Sequence, residues 1–458
     1  MTARTRPILD MNAFEGDAGD DALLARRLAN FGAASVLFYD QPIEMVRGRG
    51  AWMEAADGTS YLDFYNNVMS VGHCHPQVVA AIAAQAAELA INSRYLHPKV
   101  ETYLERLKAT LPDGLANAVL CCSGSEANDL AMRIAMKATG ARGFIVTEAA
   151  YHGNTLAVTE ISPASWKRGG RPDHVRLVAA PTVAAYGPDP AAGFAAAVAA
   201  AAADLEASGF GLAAFICDSI LSSDGVYADP AGFLASAADA ARAAGGLYIA
   251  DEVQPGFGRT GAGMWGFARH GVVPDIVTMG KPMGDGYPMA GMVTRPDLLA
   301  RFCDDTGYFN TFGANPVAAA AGLAVLDAIR EEGMIANAAT SGEGLLAALR
   351  EIAAKDERIA EVRGAGLFIG IEMNGPDAGM TVRRMTEALR ARRVLIGAAG
   401  RFGETLKIRP PLSLAADEAD FFLDGFRAAL DTLPVSLPPR AQKRLPARAR
   451  AAPKVPGR

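Results

Sequence analysis

Gly246-Leu-Tyr-Ile-Ala-Asp-Glu-Val-Gln254 is an apolar run that ends abruptly in two acids, Asp251 and Glu252. The unbroken run of apolar residues predicts a strand buried on both faces, as in a parallel sheet. Ligands of parallel sheets bind in the crevice outside the carboxyl ends of the strands. We therefore expect an α/β fold in which Asp251 faces a ligand site.

The middle of the chain repeats this pattern of short apolar runs, separated by longer helix-forming stretches. Such alternation is typical of a series of βαβ units and predicts a mainly parallel sheet. The candidate strands are Ala118–Cys122, Gly143–Glu148, Ala213–Asp218, Gly246–Asp251, Ile276–Met279 and Ala290–Thr294. Helices are predicted between them, among others at Glu126–Thr139 and Ala191–Ala207.

Both ends of the chain differ from the middle. The C-terminal third predicts a smaller α+β lobe, and short strands near the N-terminus are expected to pack with it. These elements are strands at Glu44–Arg47, Ala51–Ala55, Gly366–Glu372 and Thr405–Arg409 and helices at Pro316–Glu332 and Ala336–Lys355. The predicted domains are an N-terminal segment at 1–65, a large domain at 66–322, a small domain at 323–436 and a basic disordered tail at 437–458.

Composition restricts the class of protein. Of the 458 residues, 50% are hydrophobic and 21% are charged, which is the balance of a globular protein. The formal charge of −6 gives no reason to expect nucleic acid or an acidic membrane as partner. Five cysteines without a C-x-x-C pair favour a reducing cytoplasm. We find no secretory leader and no run of about 18 apolar residues, so we expect neither export nor a membrane span.

A lysine follows the next apolar run, in Pro274-Asp-Ile-Val-Thr-Met-Gly-Lys-Pro-Met-Gly-Asp-Gly286. Lys281 thus lies in a glycine-containing loop just past a buried strand. A lysine in a partly dry site is a nucleophile toward aldehydes, and Schiff-base formation is its main catalytic use. An acid such as Asp251, placed beside a pyridine nitrogen, keeps that nitrogen protonated and makes the ring an electron sink.

Two further segments predict contacts to a flat, phosphorylated cofactor. In Cys122-Ser-Gly-Ser-Glu-Ala-Asn-Asp-Leu130 a strand leads into a helix, so the N–H groups of Gly124 and Ser125 can bind a phosphate. Tyr151 and His152 follow another strand, where an aromatic face could stack on a ring.

Together these residues resemble the class III pyridoxal-phosphate aminotransferases of fold type I, from about Asp57 to Leu412. The likeness is greatest to the group of alanine–glyoxylate aminotransferase-like enzymes and ethanolamine-phosphate phospho-lyases. The motifs are Asn66-Asn-Val, Gly72-His-Cys-His-Pro76, Asn92-Ser-Arg-Tyr-Leu-His97, Ser123–Leu130 and Thr278-Met-Gly-Lys-Pro-Met-Gly284. The resemblance implies a large domain with a mainly parallel, seven-stranded type of sheet, a small domain from both chain ends, and pyridoxal 5′-phosphate (PLP) as cofactor.

The resemblance also implies a role for each site residue. Lys281 would hold PLP as a Schiff base and then act as the base, Asp251 would pair with the pyridine nitrogen, and Gln254 would lie near the ring's 3′ oxygen. Gly124 and Ser125 would hold the phosphate, and Thr311 would reach the phosphate of a neighbouring subunit. Tyr151 would stack on the ring, and His152 would support the loop that contains Tyr151. A homodimer with shared active sites follows. Many relatives have Glu-Pro where this chain has Asp218-Ser219, so a role for Asp218 near the cofactor stays open.

The reaction depends on Arg409, in Thr405-Leu-Lys-Ile-Arg-Pro-Pro411. In the resembled aminotransferases an arginine here binds the substrate carboxylate, a task that suits its planar fork. We therefore expect transfer of an amino group from an amine or amino acid to pyruvate, glyoxylate or 2-oxoglutarate. The alternative is a phospho-lyase that eliminates phosphate and ammonia from a phosphorylated amino alcohol such as ethanolamine phosphate.

Three other hypotheses have weaker support. Gly256-Phe-Gly-Arg-Thr-Gly261 matches the dinucleotide fingerprint of a dehydrogenase, but no acid ends a strand about 20 residues later. His73-Cys74-His75 suggests metal ligands, yet neighbours in an extended segment point to opposite faces, and we expect no metal. A non-catalytic binding module would not need the lysine, the acid and the phosphate loop together.

Overall fold

The computed structural model describes residues 13–34, 36–167 and 170–434. The basic tail predicted at 437–458 lies outside the described residues. The strands are β1 Met45–Arg49, β2 Trp52–Ala55, β3 Ser60–Asp63, β4 Asn117–Cys121, β5 Gly143–Thr147, β6 Val175–Val178, β7 Leu212–Asp218, β8 Leu247–Asp251, β9 Ile276–Met279, β10 Ala290–Thr294, β11 Ile359–Ala365, β12 Phe368–Met373, β13 Val394–Leu395, β14 Gly397–Ala399 and β15 Thr405–Ile408. The α-helices are α1 Ala22–Phe31, α2 Pro76–Glu88, α3 Pro98–Lys108, α4 Gly124–Thr139, α5 Leu156–Glu160, α6 Val183–Tyr186, α7 Pro190–Ala207, α8 Phe233–Ala243, α9 Pro296–Cys303, α10 Pro316–Glu331, α11 Met334–Ala353, α12 Ala378–Arg390 and α13 Ala416–Leu430.

A seven-stranded sheet in the order β4-β10-β9-β8-β7-β5-β6 forms the centre of the molecule. Its strands are parallel except at β10, which runs antiparallel to both β4 and β9. The predicted α/β class and mainly parallel sheet are therefore confirmed. All six candidate strands form, with ends shifted by at most one residue. β6 was not predicted, because it is a four-residue edge strand in which Arg176 interrupts the apolar pattern.

The register of the central sheet brings polar residues into one row at its carboxyl edge. Asp218 at the end of β7 lies opposite Asp251 at the end of β8. Asp251 in turn lies opposite Thr278 of β9, three residues before Lys281. Because these three strands are parallel and adjacent, residues far apart in the sequence meet at one edge.

Two smaller sheets come from the chain ends. One has the order β1-β2-β3-β13 and the other β11-β12-β15-β14. β13 from the C-terminal third pairs in parallel with β3 from the N-terminal segment, so the two chain ends share a sheet. The boundaries proposed for the domains, at residues 65, 322 and 436, stay predictions.

Of the described helices, α7 is the one that is long and apolar enough to cross a membrane by length and composition. In this fold it packs against α8 and the edge of the central sheet. Phe194, Val198 and Leu205 on its inner face are fully buried, and Asp204 forms an ion pair with Arg176 of β6. These contacts are those of a helix that packs one face on the sheet of a globular domain.

Helix α11 packs on the rest of the protein through a glycine. A Cβ atom at Gly342 would lie 2.2 Å from the carbonyl oxygen of Gly366, in the turn between β11 and β12. Gly366 has a positive φ of 54°, and a Cβ there would lie 2.4 Å from the backbone of Thr260. Since backbone atoms lie on both sides, neither contact can relax by a change of rotamer.

We predict opposite effects of two glycine substitutions in α11. Gly342→Ala should lower the free energy of unfolding by about 1–3 kcal/mol, because the new methyl group overlaps a backbone carbonyl. Gly344 lies two residues on and is exposed, and a Cβ added there would have no other atom within 4 Å. Gly344→Ala should therefore stabilise the helix by up to about 1 kcal/mol. Denaturant unfolding of the two variants checks this, and a shift in the same direction for both would contradict the packing argument.

Candidate active site

A cavity of about 140 Å³ opens at the carboxyl edge of the central sheet. Its lining comes from the ends of several strands and the start of α4. The lining residues are Gly124, Ser125, Tyr151, His152, Gly153, Asp218, Asp251, Val253, Gln254 and Lys281. The structure thus brings together eight of the ten residues predicted for the site; Thr311 and Arg409 do not line the cavity.

The Asp251 carboxylate is buried and accepts three hydrogen bonds. Nδ1 of His152 lies 2.7 Å from Oδ2, and Nδ2 of Asn128 donates to the same oxygen at 3.0 Å. The backbone N–H of Val253 donates to Oδ1 at 3.1 Å. Because a carboxylate only accepts, the network assigns the proton of His152 to Nδ1, and Nε2 of this ring is buried without a partner among the described residues.

Lys281 follows β9 in a short turn and lines the cavity together with this carboxylate. Burial lowers the pKa of its amine, and the negative charge of Asp251 opposes that shift. Among the described residues no salt bridge joins Lys281 to a carboxylate. A lysine with a lowered pKa has a larger fraction of free amine at neutral pH, which is the form that attacks an aldehyde.

The N-terminus of α4 is open toward the cavity. Ser123 caps the helix by accepting the N–H of Glu126 at 3.2 Å, which leaves the first N–H groups, at Gly124 and Ser125, free to bind an anion. A Cβ at Gly124 would lie 2.9 Å from the side chain of Val253, so this position requires glycine. The loop that includes Tyr151 is held against the helix, because the N–H of Asn154 donates to Oγ of Ser125 at 3.1 Å.

Asp218 is held at the end of β7 by its own loop. The N–H groups of Ile220 and Ser222 donate to its two carboxylate oxygens at 2.8 and 2.9 Å. Burial raises the pKa of Asp218, those hydrogen bonds oppose the shift, and the charge of Asp251 adds to it. Asp218 therefore lines the cavity with the other residues predicted for the site, while its role toward a cofactor stays a prediction.

Arg409 lies just outside the cavity and reaches it through Gln254. Its Nη1 donates to Oε1 of Gln254 at 3.0 Å, and Nε2 of Gln254 donates to Ser222 at 2.7 Å. The guanidinium lies 4.9 Å from the ring centre of Tyr65. Arg409 is 7% exposed, and its Nε has no hydrogen-bond partner in the described part of the chain.

A second cation beside Arg409 was not predicted from the sequence. Lys407 is 6% exposed, and its amine lies 5.4 Å from the ring centre of Phe368. Burial and the charge of Arg409 lower the pKa of Lys407 well below its ordinary value, and Asp218 opposes the shift. The signal was present in the sequence, because residues two apart in a strand point to the same face.

Asn128 and Thr278 were also missed. Both are fully buried, and Oγ1 of Thr278 donates to Oδ1 of Asn128 at 2.6 Å. Asn128 lies one turn past the phosphate-binding motif, on the helix face where Ala127, Leu130 and Ala131 are also buried. A polar residue on an otherwise apolar helix face was the available signal.

The other motifs serve internal contacts. His73 pairs with Asp63 at 2.7 Å, and His75 pairs with Glu332 at 2.8 Å. No group of three metal-ligating side chains occurs in the described ranges. In the glycine motif at 256–261, Arg259 is fully buried and donates to the carbonyl oxygens of Leu367 and Pro410, so its side chain contacts protein backbone.

The family model for class-III aminotransferases matches residues 38–430. The alanine–glyoxylate aminotransferase 2-like protein of Drosophila melanogaster is 40% identical over 428 residues, which cover 88% of this chain and 86% of the relative. Mitochondrial alanine–glyoxylate aminotransferase 2 of Homo sapiens is 35% identical over 434 residues, which cover 86% and 83%. A solved phospholyase from Arthrobacter in complex with phosphoethanolamine is 41% identical, with a TM-score of 0.86, and the match covers 90% of this chain and 100% of that one.

Pyridoxal phosphate, the cofactor of the matched family, fits the groups around the cavity. The site offers a buried amine at Lys281, a buried carboxylate at Asp251 and the open N-terminus of the 16-residue helix α4. These three suit an aldehyde, a protonated pyridine nitrogen and a phosphate. The glycine at 124 leaves the helix N-terminus accessible, since a larger residue would meet Val253.

We predict that Lys281 is the lysine that captures PLP. Borohydride reduction of the loaded protein, followed by peptide mapping, should label Lys281, and Lys281→Ala should lose the label while the exposed control Lys355→Ala keeps it. Because burial lowers the pKa of Lys281 from 10.5, the rate of capture by the cofactor-free protein should rise with pH and level off below that value. Labelling of another lysine would refute the assignment.

Proposed function

Since this chain belongs to the class III aminotransferase family and uses pyridoxal phosphate, we propose that it eliminates phosphate and ammonia from a phosphorylated primary amine. The predicted family, fold class, enzyme class and cofactor are confirmed at the level of the family. The finer question is which of the two reactions expected from the sequence this chain performs. The observation that supports elimination is the pair of buried cations Lys407 and Arg409 on β15 and the segment that follows it.

Two buried cations without a bound anion are costly. Desolvation of each charge costs several kcal/mol unless an opposite charge and hydrogen bonds compensate. Neither Lys407 nor Arg409 has a salt bridge to a carboxylate among the described residues, and Arg409 has Gln254 as a neutral partner. Lys407 avoids this cost in the free protein because its lowered pKa favours the neutral amine, and a bound anion would supply the charge that favours the protonated form beside Arg409.

The charge of the ligand favours a phosphate. A phosphate monoester has a charge of about −1.5 to −2 near neutral pH, whereas a carboxylate has one negative charge. Two adjacent cations, one of them a planar guanidinium, match the greater charge and the three oxygens of the phosphate. The Arthrobacter relative is described with phosphoethanolamine bound, which agrees with this choice.

The residues of the site have distinct tasks in this reaction. When bound, pyridoxal phosphate would supply an aldehyde group for the substrate amine and a ring that accepts electrons. Lys281 removes the proton from the amino-bearing carbon, and Asp251 holds the proton on the ring nitrogen. The bond from the neighbouring carbon to the phosphate oxygen breaks, and Lys407 and Arg409 stabilise the departing phosphate. Lys281 would then displace the nitrogen of the enamine product from the cofactor, and the freed enamine takes up water and gives an aldehyde and ammonia.

Amino transfer to a small 2-oxo acid is the second candidate. Its support is the guanidinium of Arg409, which can bind a carboxylate in a bidentate way, and the two relatives named as alanine–glyoxylate aminotransferases. In that reaction Lys281 moves the proton between two carbons, and Lys407 has no assigned partner. Transfer was the expectation from the sequence because an arginine at position 409 is typical of the resembled aminotransferases, and Lys407 was not considered there.

We predict that the protein releases inorganic phosphate, ammonia and acetaldehyde from phosphoethanolamine. Lys407→Met should reduce kcat/KM for this substrate by roughly tenfold to a hundredfold, because a charge-assisted hydrogen bond to the phosphate is lost. The exposed Lys355→Met is the matched control and should keep the full rate. Phosphate release and a keto-acid panel monitored by cofactor absorbance measure both reactions. Reaction with a keto acid and no phosphate release would establish transfer instead.

We also propose a homodimer in which Thr311 reaches the cofactor phosphate of the neighbouring subunit. Thr311 is exposed and lies between Phe309 and Phe312, which are 43% and 71% exposed. The guanidinium of Arg94 lies 4.3 Å from the ring centre of Phe309, so the 92–97 motif packs beside this segment. Exposed aromatic side chains are enriched at subunit interfaces.

Sedimentation at assay concentration should give a dimer, and Thr311→Ala should weaken PLP binding without changing the mass. The expected loss is about threefold to tenfold, which corresponds to one hydrogen bond. A fully active monomer would contradict the proposal.

For the location of the enzyme we propose the cytoplasm. All five cysteines are free, and Cys74 and Cys303 are exposed, which suits a reducing compartment. The human relative is a mitochondrial protein by name, so fractionation of cells that express the full chain is the test.

A further inference from the structure

Asn128 lies at a junction between the elements that surround the cavity. It is fully buried in α4, three residues after Ser125. Its Nδ2 donates to Oδ2 of Asp251 at 3.0 Å and to the carbonyl oxygen of His152 at 2.7 Å. Its Oδ1 accepts from Oγ1 of Thr278 at 2.6 Å. Every N–H of the amide is used, and so is its carbonyl.

These partners leave one orientation for the amide. Asp251 Oδ2 and the carbonyl of His152 only accept, so the nitrogen must face both. A flipped amide would place Oδ1 against two acceptors and leave one buried N–H without a partner, because the hydroxyl of Thr278 could accept the other, and the unpaired group would cost about 1–3 kcal/mol. The hydroxyl of Thr278 then donates to Oδ1 and fixes the other end.

The same side chain joins four elements that contribute site residues. α4 presents its N-terminus to the cavity, β8 ends at Asp251, the segment after β5 includes Tyr151 and His152, and β9 precedes Lys281. From its position in α4, Asn128 hydrogen-bonds to β8, to the segment after β5 and to β9. A displacement of its amide would therefore change the direction of the Asp251 carboxylate relative to the other site residues.

We propose that Asn128 is a positioning residue that aims the Asp251 carboxylate at the ring nitrogen of the cofactor. His152 holds Oδ2 from one side and Asn128 from the other, while Val253 holds Oδ1, so the plane of the carboxylate is set by three donors. Asn128 itself does not line the cavity and acts through Asp251. The inference rests on the proposed pairing of Asp251 with the ring nitrogen.

The test compares two cofactors in the cofactor-free protein. 1-Deazapyridoxal phosphate has a C–H in place of the ring nitrogen, so it keeps the aldehyde and the phosphate and loses the group that Asp251 would contact. Asn128→Asp is nearly isosteric and puts an acceptor against Oδ2 of Asp251. We expect this variant to bind PLP roughly tenfold to a hundredfold more weakly and to bind the deaza analogue within about twofold of the parent.

A matched control separates positioning from general loss of stability. Nδ2 of Asn337 also donates to two carbonyl oxygens, those of Leu412 at 2.7 Å and Leu414 at 3.0 Å, away from the cavity. Asn337→Asp should lower the melting temperature and leave the affinity for both cofactors unchanged. If Asn128→Asp does not fold, Thr278→Val removes the donor to Oδ1 and should weaken PLP alone by about twofold to tenfold.

The outcomes are distinct. An equal loss for PLP and the deaza analogue, or no loss for either, overturns the inference. If the parent protein binds both cofactors equally well, the proposed pairing of Asp251 with the ring nitrogen is contradicted, and the inference about Asn128 is contradicted with it. If borohydride reduction does not label Lys281 in the parent protein, the assignment of the site itself is refuted. A loss confined to PLP supports the positioning role.

Discussion

The buried carboxylate of Asp251 is the constraint on which the site depends. Taking an isolated carboxylate out of water costs several kcal/mol, and N–H donors must replace the lost hydration. Those donors come from α4, from the loop after β5 and from the residue that follows β8. Each hydrogen bond to a charged group contributes roughly 1.5–3 kcal/mol. The three segments are therefore stable in their observed positions only together.

The hydrogen bonds to Asp251 also fix the positions of groups that do not contact it. The loop that provides His152 also presents Tyr151 to the cavity, and it docks on α4 through the hydrogen bond from Asn154 to Ser125. Gly153 makes the docking possible, because a Cβ there would lie 2.5 Å from Oγ of Ser125. Tyr151 and the N-terminus of α4 are thus held next to each other, as a rigid cofactor that contacts both would require.

Much of the fold and site could be predicted because the signal was local. Each buried strand is a continuous apolar run, and Asp218, Asp251 and Lys281 attract notice because they are polar residues at or just past the ends of such runs. β6 was missed because an edge strand of four residues with a central arginine gives too little pattern.

Tertiary contacts account for the rest. Asn128 hydrogen-bonds to a residue 123 positions away, and no window of the sequence contains both partners. Thr311 is exposed in one chain, so its role depends on a second subunit and could be inferred only from the resemblance. Lys407 was overlooked for a different reason, since its pattern with Arg409 is local but the charge of a strand residue is informative only once its burial is known.

Because Lys407 is buried, the binding of an anionic ligand beside it is coupled to the uptake of a proton by its amine. Burial and Arg409 lower the pKa of this amine, so it holds its proton weakly in the free protein. An anion bound beside it favours the protonated form and raises the pKa again, and the rise is larger for two negative charges than for one. Between the lowered and the restored pKa, binding takes up a proton, so affinity falls as pH increases through that interval. Above the second pKa of a phosphate monoester, at about 6, a phosphate therefore gains more from protonated Lys407 than a carboxylate does, because it carries the greater negative charge.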